Sequence, residues 1–119
     1  MNNRSTGNEK EQLACDYLRE RGMEILERNF RTARGEIDIV GYHEGYLVFV
    51  EVKYRKTKTK GWAAEAVDYR KQYRICRTGD YYRYRHHVSE RQSVRYDVLA
   101  IQGTEICWIK NAFPHLYHV

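Results

Sequence analysis

At 119 residues the chain is long enough to bury one core and too short for two, so it is expected to be a single domain spanning 1–119. Hydrophobic content of 42%, with 13% aromatics, excludes a disordered chain, and no apolar run approaches a membrane span. The net charge of +5 is divided unevenly: residues 1–52 carry 7 basic and 10 acidic side chains, residues 53–119 carry 14 and 6.

Thr6 and Glu9 fit a capping box, Thr6 at the N-cap and Glu9 at N3, opening a helix that ends near Gly22. Its apolar stripe is Leu13, Ala14, Tyr17 and Leu18. Glu11 lies three residues before Ala14 and seven before Leu18, so it shares the stripe's side. An acid there is costly without a partner, although a solvated glutamate at a helix start is an equally good reading. Met23 to Arg31 follows as a strand, with imperfect alternation around Ile25 and Leu26. Arg28, Arg31 and Arg34 either contact phosphate or balance a neighbouring acidic cluster.

Two β-branched and aromatic runs come next, about Glu36 to Tyr42 and Tyr46 to Lys53, separated by Glu44-Gly45. This is a hairpin signal. A two-residue loop sets His43 opposite Tyr46, which puts Asp38 opposite Glu51 and Glu36 opposite Lys53 on one face. The other face then holds Ile37, Ile39, Val48, Val50 and Val52. A three-residue loop would separate Asp38 from Glu51 and mix the aliphatic residues between faces, so the shorter loop is preferred.

Tyr54 to Gly61 (Y-R-K-T-K-T-K-G) is basic and lacks an apolar period. It reads as a loop over the carboxylates, with Arg55, Lys56, Lys58 and Lys60 available to phosphate. A long helix is expected from Trp62 to about Arg85. Its core face is Ala66, Tyr69, Tyr73 and Cys76, and Arg70, Arg74 and Arg77 form a basic ridge beside it. Lys71 sits between ridge and core, and Arg70, Lys71, Arg74 and Arg77 are together expected to meet nucleic-acid phosphates. Gly79 marks a kink or an end, and Tyr81, Tyr82 and Tyr84 either pack against the helix or stack on bases. The chain closes with a second hairpin: Val94 to Ile101, a turn at Gln102-Gly103, and Glu105 to Lys110. The V-L-A-I run suits a central strand buried on both faces. Asp97 either supports the carboxylate site or ends that run. Cys15, Cys76 and Cys107 have no metal-ligand spacing and read as reduced thiols of a cytoplasmic protein.

Two facing carboxylates repel unless a cation lies between them. Hard oxygen donors suit Mg²⁺ or Mn²⁺, held by one or two carboxylates together with water and substrate phosphate. Lys53, two residues beyond Glu51, places an ammonium on the same face. Asp38, Glu51 and Lys53 are thus the equipment for metal-assisted phosphodiester hydrolysis. The basic second half suits a polyanionic partner.

G-E-I-D at Gly35–Asp38 and V-F-V-E-V-K at Val48–Lys53 resemble the PD-(D/E)xK nuclease superfamily. More closely, the chain resembles the YraN-like predicted endonucleases, which are related to archaeal Holliday-junction resolvases. The resemblance covers nearly the whole chain. It includes Gly7, Glu11, Leu13-Ala14 and Tyr17-Leu18; Arg28-Asn29-Phe30-Arg31; Glu65-Ala66-Val67 with Lys71; Arg95-Tyr96-Asp97-Val98; and Lys110-Asn111-Ala112-Phe113. Tyr54 departs from the pattern, which has a small Thr after the Lys. The resemblance implies an α/β fold, a restriction-endonuclease-like core of order α-β-β-β-α-β-β with one mixed sheet flanked by helices. It adds Glu11 to Asp38 and Glu51 as metal ligands, and implies an Mg²⁺- or Mn²⁺-dependent endonuclease acting on DNA, extending to branched DNA. Cutting a junction would call for a symmetric homodimer. A non-catalytic nucleic-acid-binding module on the same fold is the alternative; no membrane partner is expected.

Overall fold

A computed structural model describes residues 3–55 and 67–117, with residues 3–8 as backbone alone. The order is α1 (Asn3–Glu20), β1 (Glu24–Thr32), β2 (Gly35–His43), β3 (Tyr46–Arg55), α2 (Tyr69–Arg85), β4 (Val94–Gln102) and β5 (Glu105–Phe113). The strands form one sheet in the order β1-β2-β3-β4-β5. Pairing is antiparallel except between β3 and β4, which are parallel. Parallel neighbours need a crossover, and α2 supplies it. This is the expected mixed α/β arrangement. Among the described residues no helix is long and apolar enough to cross a membrane.

The sheet buries both faces, one under each helix. Ala14, Cys15 and Leu18 of α1 pack with Ile39, Val48, Val50, Leu99 and Ile101. Ile75, Cys76 and Tyr82 of α2 pack with Val40, Phe49, Tyr96 and Val98 on the other side. Each aliphatic side chain so buried contributes about 1.5–3 kcal/mol. β4 lies between β3 and β5 and is buried from Arg95 to Gln102, as its continuous apolar run requires.

The first helix departs from expectation at its start. It begins at Asn3, so Thr6 lies inside it and is not the N-cap. Its end is as expected. Met23 N–H donates to Leu18 O and Gly22 N–H to Arg19 O, both at 3.0 Å, with Gly22 at φ +95°, which is the Schellman arrangement. Leu13 is exposed and Cys15 takes its place in the core, because the buried side of α1 turns toward Ala14 and Leu18. β1 carries a bulge between Ile25 and Glu27, at the point where the alternation falters. Ile37 departs from the expected aliphatic face: it joins the α2-side cluster together with Phe30, its neighbour on β1.

Helix α2 begins at Tyr69, with Asp68 as its N-cap. Its buried face is Ile75, Cys76, Gly79 and Tyr82, while Tyr69 is exposed and Tyr73 half-buried, contrary to the expected core face. Tyrosine keeps a polar tip, so it tolerates the solvent side of a helix where Ile and Cys do not. Helix α2 runs on to Arg85 and does not end at Gly79. A Cβ there would stand 3.0 Å from Phe49 Cε2, so its lack of a side chain is what lets the helix close onto the sheet. Ala66 and the expected helix start at Trp62 lie outside the described residues, as does Glu65 of the resemblance.

On the α1 side of β4, Asp97 is fully buried and accepts four kinds of bond. Arg95 Nε and Nη2 donate to it at 2.9 Å, Trp108 Nε1 at 2.9 Å and Asn111 N–H at 2.9 Å. Arg95 Nη2 also lies 3.0 Å from His43 Nδ1. This satisfied network joins β2, β4 and β5. It accounts for Asp97 without any contact to the carboxylate site on the opposite face.

Candidate active site

The site forms where the β2–β3 hairpin comes apart. Glu44 and Gly45 adopt φ of 52° and 85°, the positive values that a two-residue hairpin turn demands and that glycine accepts without strain. The ladder then runs from His43↔Tyr46 to Ile39↔Val50, the expected register, and stops. Asp38 and Glu51 come next along each strand, unpaired at the mouth of the fork, and Glu36 lies opposite Arg31 and not, as expected, opposite Lys53. Past this point β3 continues along β4, with Glu51 opposite Val98 and Lys53 opposite Ala100, while β2 continues along β1. The Val52 N–H is met by the Asp38 side chain, Oδ2 accepting at 2.8 Å.

Helix α2 closes the fork from above. Asp68 Oδ1 accepts from the Lys71 N–H at 2.8 Å, which fixes the first turn and with it the Lys71 side chain. Lys71 Nζ lies 2.8 Å from Glu51 Oε1, and Lys53 Nζ lies 3.7 Å from the same oxygen. Arg34, Glu36, Asp38, Glu51, Lys71 and Arg74 line a pocket of about 240 Å³.

Burial pushes Asp38 up to about 7 from 3.8, helped by the Glu51 carboxylate and, more weakly, Glu36; the Val52 hydrogen bond and Lys71 act the other way. Burial and the Lys71 ammonium together lower Lys53, against the pull of Glu51 and Asp38. Burial works to lower Lys71 too, but its bonds to Glu51 and Lys53 and the two carboxylates outweigh this, and its affinity for the proton is raised. Glu51 is only 6% exposed, so its two lysine neighbours offset a charge that little water reaches.

Such a pair of crowded carboxylates has the chemistry to take a divalent cation. Asp38 and Glu51 are the residues that could hold one. Among the described residues no group of three or more His, Cys, Asp or Glu is arranged around a metal position. Beyond two carboxylates the coordination would therefore fall to water and to substrate oxygens, the usual habit of Mg²⁺.

A family model described as "Uncharacterised protein family UPF0102" matches residues 10–101. The chain belongs to this family. A UPF0102 protein of Lachnoclostridium phytofermentans is 48% identical over 113 residues, covering 95% of this chain and 96% of that one. The UPF0102 protein FN1370 of Fusobacterium nucleatum is 40% identical over 111 residues, covering 93% and 92%. One from Persephonella marina is 40% identical over 107 residues, covering 90% and 91%.

In this UPF0102 chain the other expected site residues lie as follows. Glu11 does not line the pocket. Its Oε1 accepts from Arg28 Nε at 3.2 Å and from Asn29 Nδ2, so its partner on the helix's buried side is β1. Arg31 pairs with Glu36 at 3.3 Å, the balancing role among its two readings. Arg70 and Arg74 stand exposed on α2. Arg77 is 5% exposed, tucked beside Asp80 and the tail at Leu116, and so leaves the expected ridge. Arg55 ends β3; Lys56, Lys58 and Lys60 lie outside the described residues. Tyr54 sits under Lys10, 4.7 Å from its ammonium and on the side away from Glu51 and Lys53, so it does not narrow the site. Sequence reading placed Lys71 among phosphate contacts and did not see it on Glu51. The available signal was D-x-x-K at Asp68, a helix start that aims the following lysine across the fork.

Proposed function

We propose that this protein is a metal-dependent endonuclease that hydrolyses phosphodiester bonds of DNA, as its resemblance to the PD-(D/E)xK superfamily implies. The observation that carries this is the fork itself: Asp38 and Glu51 on one face where β2 and β3 part, with Lys53 and Lys71 on Glu51. Asp38 and Glu51 would hold Mg²⁺ or Mn²⁺. When bound, such an ion supplies Lewis-acid polarisation of the phosphate and a water more easily deprotonated. Glu51 presents its carboxylate from a strand fixed by β4, so its position costs little reorganisation. Asp38 is oriented by the Val52 N–H. Lys53, whose ammonium is made more acidic by burial and by Lys71, stands to orient water or neutralise charge growing on the phosphate. Arg34 and Arg74, on the pocket's rim, receive the flanking phosphates.

The ion pair between Lys71 and Glu51 supports a second reading, a nucleic-acid-binding module in which lysine takes the cation's place. Cleavage separates the two. Wild type and Glu51→Gln are incubated with duplex, single-stranded and branched DNA and with RNA, in Mg²⁺ or Mn²⁺. Cutting by wild type and none by the variant is expected. No cutting of any substrate by wild type would leave the binding module as the better account.

A further inference from the structure

The site pocket opens into a longer trough between α2 and the β1–β2 turn. Two further pockets, about 720 and 570 Å³, share Arg34 and Arg77 with each other, and the larger shares Arg34 and Arg74 with the site. Tyr69, Tyr73, Tyr81 and Tyr84 line it. At helical spacing these fall, with Arg77, on one stripe of α2 about 22 Å long. Tyr69, Tyr81 and Tyr84 are 63%, 47% and 81% exposed, although each would gain by burial.

The trough's charge is mainly positive. Among the described residues it is lined by six arginines and one carboxylate, Asp80, which already lies 3.1 Å from Arg77. Arg77 stands where the two halves meet. Its Nη2 is used by Leu116 O, Asp80 and His115 Nε2 and its guanidinium lies 4.9 Å from the centre of the Tyr73 ring, but among the described residues its buried Nε and Nη1 have no hydrogen-bond partner. Arg77 thus adds its charge beneath the trough, while the exposed Arg34, Arg70 and Arg74 are the guanidinium groups that an anionic oxygen can reach. A duplex would use the arginines alone, since its bases are stacked inside. Exposed rings interleaved with arginines fit a strand whose bases are free to stack while its phosphates are neutralised.

We infer that this trough holds an unpaired DNA strand and leads it to Asp38 and Glu51, so that the substrate is DNA with a single-stranded segment and not uninterrupted duplex. The substrate assignment rests on the nuclease reading above; strand binding in the trough does not. The test is fluorescence anisotropy in EDTA with oligothymidylate, with a duplex of equal length and with polyglutamate, for wild type and the double variant Tyr69→Ala/Tyr84→Ala. Both positions are exposed, so the variant is expected to fold, and circular dichroism checks this. Arg34→Gln provides a second, independent variant.

The double variant is expected to lose roughly ten-fold or more in affinity for oligothymidylate, the scale of losing stacked bases, with duplex affinity changed less than about two-fold. Unchanged oligothymidylate binding in both variants would overturn the inference. So would equal losses on duplex, or polyglutamate binding as tightly as oligothymidylate. Expected binding changes without any cleavage by wild type would keep the trough and remove the nuclease. Cleavage of plain duplex that ignores the tyrosines would do the reverse.

Discussion

Replacing Asp38 with Asn should stabilise the metal-free protein at neutral and alkaline pH. In the folded state Asp38 holds its proton up to about pH 7, against 3.8 for the ordinary group. Between these values the folded protein binds more protons than the unfolded chain, so stability falls as pH rises through the window. Below about pH 4 the group costs nothing by titration, and above about pH 7 it costs the full difference. A rise from 3.8 to about 7, at ~1.36 kcal/mol per unit, sets a ceiling of about 4 kcal/mol. Asn can still accept from the Val52 N–H and can donate toward Glu51, so the variant should recover roughly half of that ceiling or more. For a domain of this size that is a rise in Tm of roughly 5–10 °C. Thermal melts in EDTA from about pH 4.5 to 8.5 would follow it by circular dichroism. The gap between variant and wild type should open with rising pH and level off near pH 8. Adding Mn²⁺ at that pH should raise the Tm of wild type and leave the variant where it was. A variant less stable than wild type at about pH 8 in EDTA, or a gap that ignores pH, would refute the reasoning about crowded carboxylates.

Three other outcomes follow from the geometry. Lys53→Met keeps most of the stem at a half-buried strand position, so the fold should survive while cleavage rates fall by about two to three orders of magnitude, the scale of one lost electrostatic donor. Neutralising Arg70 and Arg74 together should flatten the salt dependence of duplex binding by roughly 0.9 log–log units per lost phosphate contact, read from titrations at several salt concentrations. Asp97→Asn leaves the buried Arg95 guanidinium without its counter-charge and should cost roughly 3–5 kcal/mol, visible as an early urea midpoint, while the carboxylate fork keeps its Mn²⁺ affinity in calorimetry wherever the protein is folded.

The hairpin register was legible in the sequence because the two-residue turn at Glu44-Gly45 fixes the pairing from His43↔Tyr46 to Ile39↔Val50. The fork beyond it was not, since β2 turns to β1 and β3 to β4 instead of setting Glu36 opposite Lys53. Only one register keeps Val48 and Val50 on an apolar face, and that same register brings Asp38 to Glu51. Helix α2 was harder to read. Tyr69, Tyr73 and Cys76 are as periodic as Ile75, Gly79 and Tyr82, and spacing alone does not say which stripe turns inward. The Phe49 ring bears on it, since a Cβ at Gly79 would stand only 3.0 Å from that ring and crowd this face. Lys71 was named but its place was missed, because its reach to Glu51 depends on where the helix starts and how the crossover sets it over β3. Glu11 was left between a buried acid that needs a partner and a solvated one, and it is Arg28 on the adjacent strand that decides for the former; that pairing joins two elements whose separation no periodicity encodes.

The fork also gives the molecule its own reporter. Most strand amides donate to a main-chain carbonyl and sense little beyond the integrity of the sheet. The Val52 amide donates to a carboxylate oxygen of Asp38 instead. Its proton resonance and its exchange with deuterium therefore depend on the charge state of that one side chain. Protonation, a bound cation, or a phosphate drawing Asp38 aside would each register at Val52. The occupancy of the site can thus be followed in solution on a single peptide group, without a substrate and without turnover.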